Sequence, residues 1–215
     1  MMMVSAAAGV KVQRLRSAQR SFTRARICTA AREIFATQGF AGATMDQVAE
    51  ASGTRRSTVY NHFRDKNEIL LAIAEDFCKG SIELIRQLPA PLPSRAEIDA
   101  WMRDVAVFNM RDQTPTVLLM NLGAATEVPP ALEEVGARLM GALAQRLPAF
   151  RRALEPGPDQ GLARARAQLV LQQIGWACLH LIRDKGKRAK GGVSGTHMLT
   201  VAAELFDRFV HAGTL

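Results

Sequence analysis

Apolar residues along this chain recur at helical spacing almost from end to end, and nowhere do they alternate with the period of two that marks a strand. From Ile27 they fall at Ile27, Ala30, Ala31, Ile34 and Phe35, the i, i+3, i+4, i+7, i+8 pattern of one buried helix face. Gly39 follows directly, where helices commonly end in a left-handed residue. Thr44 then opens a second helix. With Gln47 three positions on it makes a capping box, in which hydroxyl and amide satisfy exposed backbone N–H groups. Met45, Val48 and Ala49 give that helix one apolar face over two turns, and Ala51-Ser52-Gly53 ends it. A third short helix carries Val59 and Phe63 at i and i+4. A fourth begins at Asp65, has Glu68 at the capping-box position, and carries Ile69, Leu70, Ile73 and Phe77 towards Leu88.

Pro89, Pro91 and Pro93 cannot continue a helix and mark the edge of a first unit. Helices are predicted beyond them over Ser94–Met110, Pro115–Ala125, Pro130–Leu154, Leu162–Arg183 and Thr196–Ala212. A Pro/Gly-rich loop, Glu155–Gly161, and a basic, glycine-rich loop, Asp184–Gly195, separate the last three. The chain is therefore all-α, with about nine helices. Three regions follow: a disordered basic arm over residues 1–20, a helical unit over 21–88 that includes the connecting fourth helix, and a second helical domain over 94–215.

Charge sharpens this picture once it is located. The chain has 215 residues and a formal charge of +8. Between Lys11 and Arg64 stand ten basic residues against three acids, Glu33, Asp46 and Glu50, so about +7 of the excess lies in the first third. That asymmetry fits a polyanionic partner, nucleic acid or an anionic membrane surface; a solvated basic face would read the same. Cys28, Cys78 and Cys178 are odd in number, far apart and without a CxxC pair, so ordinary reduced thiols are expected, with no disulfide framework and no zinc site. Met1–Val10 is apolar but short, and its basic residues follow it, the reverse of a signal peptide. No apolar run reaches the length of a transmembrane helix. A cytoplasmic protein with no membrane partner and no cofactor is expected. Four scattered histidines (His62, His180, His197, His211) and the lack of HExxH, GxSxG or P-loop patterns give no basis for an enzyme.

Two short helices joined by a tight glycine turn and packed on a longer one make a helix-turn-helix, whose second helix fits a major groove. Its first turn carries Arg55 and Arg56, while Ser57, Thr58, Tyr60 and Asn61 point away from the Val59–Phe63 face. A guanidinium fork can bond guanine, and an asparagine amide adenine; hydroxyls and helix-start N–H groups suit phosphate. A helical hairpin with a polar solvent face would show the same residues. The spacing Phe35-x3-Gly39-Phe40-x3-Thr44-x3-Val48-Ala49-x3-Gly53-x4-Thr58-Val59-Tyr60-x-His62-Phe63-x2-Lys66-x2-Ile69-Leu70 goes further. It resembles the DNA-binding domain of the TetR family of regulators, from about Arg24 to Leu71.

That resemblance implies roles. Thr44 would touch a phosphate; Arg56, Ser57 and Thr58 would meet bases and adjacent phosphates; Tyr60, His62 and Lys66 would clamp phosphates. The family often has a small hydroxyl residue two positions after the turn glycine. This chain has Arg55 there and Thr54 one earlier, so Thr54 is the candidate N-cap of the third helix. The basic arm (Lys11, Arg14, Arg16, Arg20, Arg24) either follows the DNA or makes no fixed contact. The resemblance further implies a double-stranded operator, a homodimer through the last two long helices, and a small-molecule effector bound in the second domain. Trp101, Phe108, Met110, Met120 and Trp176 are candidates to line such a pocket, with His180 or Asn109 as polar anchors; plain core packing is the competing reading of each. The stripe Leu169, Gln173, Trp176 and His180 would serve dimer, core or pocket. A repressor released from a palindromic operator is the expected function. The alternative is a binder of nucleic acid or anionic surfaces that uses the basic arm alone.

Overall fold

The computed structural model describes residues 2–123, 128–184 and 192–213. Among them are ten helices and no strand: α1 (Met2–Gln38), α2 (Met45–Ala51), α3 (Arg56–His62), α4 (Lys66–Gln87), α5 (Arg95–Arg111), α6 (Gln113–Gly123), α7 (Pro130–Arg146), α8 (Pro148–Leu154), α9 (Gln160–Asp184) and α10 (Gly195–Ala212). The all-α expectation holds. The extra helix comes from the expected Pro130–Leu154 element, which is two. Pro148 has no N–H to offer and pushes the residue before it out of the helical region, so Leu147 sits at φ −114°, ψ 120° between α7 and α8. Part of the expected Asp184–Gly195 loop, residues 185–191, and the expected end of α6 at Ala124–Ala125 lie outside the described residues.

The region expected as a disordered arm, residues 1–20, is helical from Met2, as the leading turns of α1. It contains no proline, and Ala6-Ala7-Ala8, Leu15, Arg16 and Gln19 are good helix formers. Its residues from Gln13 to Phe22 are all exposed, with Leu15 at 62% and Phe22 at 65%. Propensity rather than packing favours the helix there.

The chain divides into two compact units, residues 1–73 and 74–215. In the first, the predicted apolar face of α1 (Ile27, Ala31, Ile34, Phe35) is buried with Val48 of α2, Val59 of α3, and Ile69 and Leu70 of α4. Phe35 meets Phe40 edge-on at 5.1 Å between ring centroids. The second unit is built on Leu88, Ile98, Met102, Leu143 and an aromatic group, Phe150, Phe206 and Phe209. The end of α4 and the residue after it are fastened there: Trp101 Nε1 donates to Leu84 O at 2.8 Å, and the Arg146 guanidinium to Leu88 O at 3.0 and 2.6 Å. Helices α9 and α10 form the most extensive pairing of the unit. A Cβ on Gly195 would come within 2.5 Å of the Leu181 backbone, so only glycine allows this approach at the start of α10. The Gly195 N–H donates to the Asp184 carboxylate across the same gap.

Candidate nucleic-acid interface

The capping box predicted for α2 is present. Gln47 N–H donates to Thr44 Oγ1 at 3.3 Å, and Thr44 N–H to Gln47 Oε1 at 2.9 Å. Gln47 also donates from Nε2 to Gln38 Oε1 at 2.8 Å, which ties the start of α2 to the end of α1. Thr44 is exposed, its hydroxyl at the mouth of the first turn. Gly53 makes the turn between α2 and α3 at φ +61°, a conformation that suits glycine.

Helix α3 starts one residue later than Thr54 as cap would put it. Arg55 is the N-cap, with no side-chain cap bond, and the Thr54 hydroxyl pairs instead with Ser52 Oγ at 2.7 Å. Val59 and Phe63 are buried, which turns the other side of the helix outward. Arg55, Arg56, Ser57, Tyr60 and Asn61 are exposed, and Thr58 and His62 half-buried. Arg56 Nη1 bonds Asp46 Oδ2 at 2.8 Å, and its guanidinium lies 5.5 Å from the centroid of the Tyr60 ring. The face thus carries a guanidinium, an amide, a phenol and hydroxyls side by side, the donor and acceptor set needed for base edges and phosphates.

Lys66, expected at a phosphate, is placed differently. Its ammonium donates to the carbonyls of Phe40 (2.8 Å), Ala41 (2.8 Å) and Ala43 (3.2 Å), and lies 4.9 Å from the Phe40 ring centroid. All three of its protons are directed into the α1–α2 turn, so Lys66 holds that turn closed in the free chain.

Two arginines counted with the basic excess are also internal fasteners: Arg26, which sequence reasoning did not single out, and Arg24, which it placed in the basic arm. Arg26 donates to the carbonyls of Ser52 and Gly53 in the helix-turn-helix turn. Arg24 donates to His62 O at 3.3 Å, and its guanidinium stacks on Phe63 at 4.2 Å, pinning α1 to the end of α3. Burial, followed by the charges of Arg20 and Arg24, moves the His62 pKa below its usual value of 6.5.

In the second unit a cavity of about 870 Å³ has walls from α4, α5, α6, α7 and α9. Of the residues proposed for an effector pocket, Trp101, Phe108, Met120 and Trp176 line this cavity, and Met110 and His180 do not. Met110 is 38% exposed on the outer side of α5, and the backbone of His180 lies towards Gly195 of α10. Asn109 lines the cavity, but its amide donates to Val105 O at 2.7 Å and its carbonyl accepts from Thr116 Oγ1 at 2.6 Å. Ser81, Arg164, Gln168 and Gln172 are polar residues on the same walls that sequence reasoning did not single out. Among the described residues there is no cluster of metal-ligating side chains, and no helix is long and apolar enough to cross a membrane. All three cysteines are buried, and burial drives the Cys178 thiol to about 12.

These features define a helix-turn-helix unit followed by a cavity-bearing helical unit. The model for "Bacterial regulatory proteins, tetR family" matches residues 27–73. The transcriptional regulator SrpR of Pseudomonas putida is 46% identical over 57 residues, 26% of this chain and 27% of its own. The transcriptional repressor AcnR of Corynebacterium diphtheriae is 32% identical over 106 residues, 42% of this chain and 56% of its own. The chain thus spans between about a quarter and just over half the length of these curated relatives. Solved structures extend the likeness of fold to both units. A protein of Syntrophomonas wolfei assigned to the TetR family has a TM-score of 0.66 at 18% identity, covering 91% of this chain and 97% of that one. The fatty acid degradation regulator FadR of Bacillus halodurans has 0.59 at 14%, covering 88% and 95%. Residues 27–73 thus match the TetR family of bacterial regulatory proteins, and the fold is like that of solved structures assigned to that family.

Proposed function

We propose that the chain is a sequence-specific DNA-binding transcription regulator, a repressor released from a palindromic operator when a small apolar effector occupies its second unit. The observation that carries this reading is the outward face of α3, where Arg55, Arg56, Ser57, Tyr60 and Asn61 are exposed while Val59 and Phe63 anchor the opposite side. In this reading Arg56 and Asn61 meet base edges, and Thr44, Tyr60 and His62 meet phosphates. Lys66 supports them by shaping the turn before α2.

Leu162 and Leu169, seven residues apart on α9, and Val201 on α10 stay exposed on the single chain at 55%, 47% and 48%. A two-fold pairing of these helices would cover them and set two α3 helices about one DNA turn apart or slightly more, roughly 34–36 Å, which dictates a palindrome. The cavity suits a drug-sized apolar or aromatic molecule, with Trp101, Phe108 and Trp176 as ring contacts. An effector that favours one arrangement of the dimer would lower operator affinity by linkage. Such a protein acts where its DNA is, in the cytoplasm.

Selection of bound fragments from a random duplex pool tests the reading. A palindromic consensus is the expected result. Recovery without any enriched sequence would sink it in favour of non-specific binding by the basic helix.

A further inference from the structure

The chain has no acidic residue before Glu33, and seven basic ones: Lys11, Arg14, Arg16, Arg20, Arg24, Arg26 and Arg32. Arg24 and Arg26 are committed to carbonyls inside the first unit. Arg16 and Arg20 are not: both are exposed, and neither makes a hydrogen bond or ion pair among the described residues. Their place follows from the continuity of α1. Arg16, Arg20 and Arg24 are spaced i, i+4, i+8, so they share one side of the helix, each about 6 Å along the axis from the last. Arg24 fixes the direction of that stripe, since its guanidinium is bonded to His62 O and stacked on Phe63 at the C-terminal end of α3. Arg20 and Arg16 therefore continue outward from the end of the helix that faces bases. The field of Arg20 at His62 agrees with this placement.

We propose that Arg16 and Arg20 bind the phosphate backbone of double-stranded DNA just outside the segment that α3 reads. The inference rests on α3 being a DNA reader and adds a second, sequence-independent contact beside it. A helix in the major groove leaves its ends beside the backbones that border the groove, and two guanidinium groups running on from that end meet phosphates rather than bases. The contact raises affinity for every sequence and makes it depend on how far the duplex extends past the half-site. Arg14, two residues before Arg16 and about 200° around the helix from it, faces away and takes no part.

The test is the salt dependence of binding to random-sequence duplex DNA, which needs no knowledge of the operator. The wild-type chain is compared with R16A/R20A, R16K/R20K and R14A, each checked for native helix content. The slope of log K against log salt should become shallower by about 2 in R16A/R20A, roughly 0.9 for each phosphate that no longer meets a cation. R16K/R20K should keep the slope, and so should R14A. A second measurement uses the half-site recovered by selection: the wild type should bind a duplex trimmed to it more weakly than an extended one, and R16A/R20A should not distinguish the two. An unchanged slope in R16A/R20A, or an equal fall in R14A, overturns the proposal while leaving the reading by α3 intact. Loss of binding to phosphatidylglycerol vesicles in R16A/R20A, with DNA binding unchanged, assigns the stripe to a membrane and also overturns it. No duplex binding by the wild type sinks both this inference and the function it rests on.

Discussion

Arg56 Nη1 lies 2.8 Å from Asp46 Oδ2, so the first turn of α3 is ion-paired to the first turn of α2. Both side chains are more than half exposed, at 64% and 58%, and such a pair contributes about 0–1 kcal/mol to stability. Its consequence is for position: the guanidinium is held over Tyr60 in the free chain. Arg56→Ala should therefore lower affinity for the selected site by about 1–3 kcal/mol and relax its sequence preference, with the melting temperature little changed. Asp46→Asn should leave the fold intact and raise affinity for unrelated duplexes, since it removes an anion from the face while keeping Arg56. Titrations against selected and scrambled duplexes check both. Equal losses on the two duplexes in Arg56→Ala would remove Arg56 from base reading.

Lys66→Ala leaves the carbonyls of Phe40, Ala41 and Ala43 without their shared donor. Loss of charge-assisted bonds in a half-buried turn costs about 1–3 kcal/mol. The expected outcome is a lower melting temperature with the salt slope of DNA binding unchanged. A phosphate-contacting lysine would behave in the opposite way, with unchanged stability and a slope shallower by about 0.9.

The same contrast shows what the sequence made legible. The buried faces of α1 to α4 follow from apolar spacing, and the α2 cap from Thr44 and Gln47, because both are local relations along one helix. The side of α3 that faces outward follows in turn from Val59 and Phe63. What Arg24, Arg26 and Lys66 do was not legible, since a cation bonded to a carbonyl 23 to 38 residues away in the chain carries the same letter as one facing solvent. Asp46 as a partner for Arg56 was hidden for the same reason. The break at Leu147–Pro148 escapes a reading by apolar spacing, which carries on through it, although proline acts on its immediate neighbours and marks the place. In the second unit the large apolar residues were visible, but only packing separates Phe108 and Met120, which line the cavity, from Met110, which faces out.

His62 should titrate below 6.5 in the free protein, because burial and then the nearby charges of Arg20 and Arg24 disfavour its imidazolium. Its folded pKa lies under the unfolded one, so the unfolded state binds more protons between the two values. Stability is then full above about 6.5 and falls as the pH drops through that window towards the folded pKa. Arg20→Ala should raise the midpoint. A phosphate beside the ring should raise it too, so DNA binding should tighten on acidification across the same window. NMR titration of the ring protons, free and with duplex, measures each shift. A midpoint at or above 6.5 in the free protein would contradict first the burial of the ring and then the placement of the two arginines.

Two glycines in the second unit give opposite predictions for the same substitution. A Cβ on Gly80 would lie 2.5 and 2.6 Å from the Phe108 ring, which also packs on Phe77 at 5.7 Å between centroids. A rigid ring cannot yield cheaply, so Gly80→Ala should cost about 1–3 kcal/mol and lower the melting temperature. A Cβ on Gly175 would lie 2.5 Å from Met120 Sδ and 2.9 Å from its methyl carbon. That is the far end of an unbranched side chain with three rotatable bonds, which can turn aside into the cavity that Met120 lines. Gly175→Ala should therefore leave the melting temperature near that of the wild type while narrowing the cavity. An apolar fluorescent dye that binds the wild type should bind Gly175→Ala more weakly, and the same change should blunt any release from DNA caused by a large aromatic compound. Undiminished dye binding with an unchanged melting temperature would show that Met120 does not control the space available to a ligand.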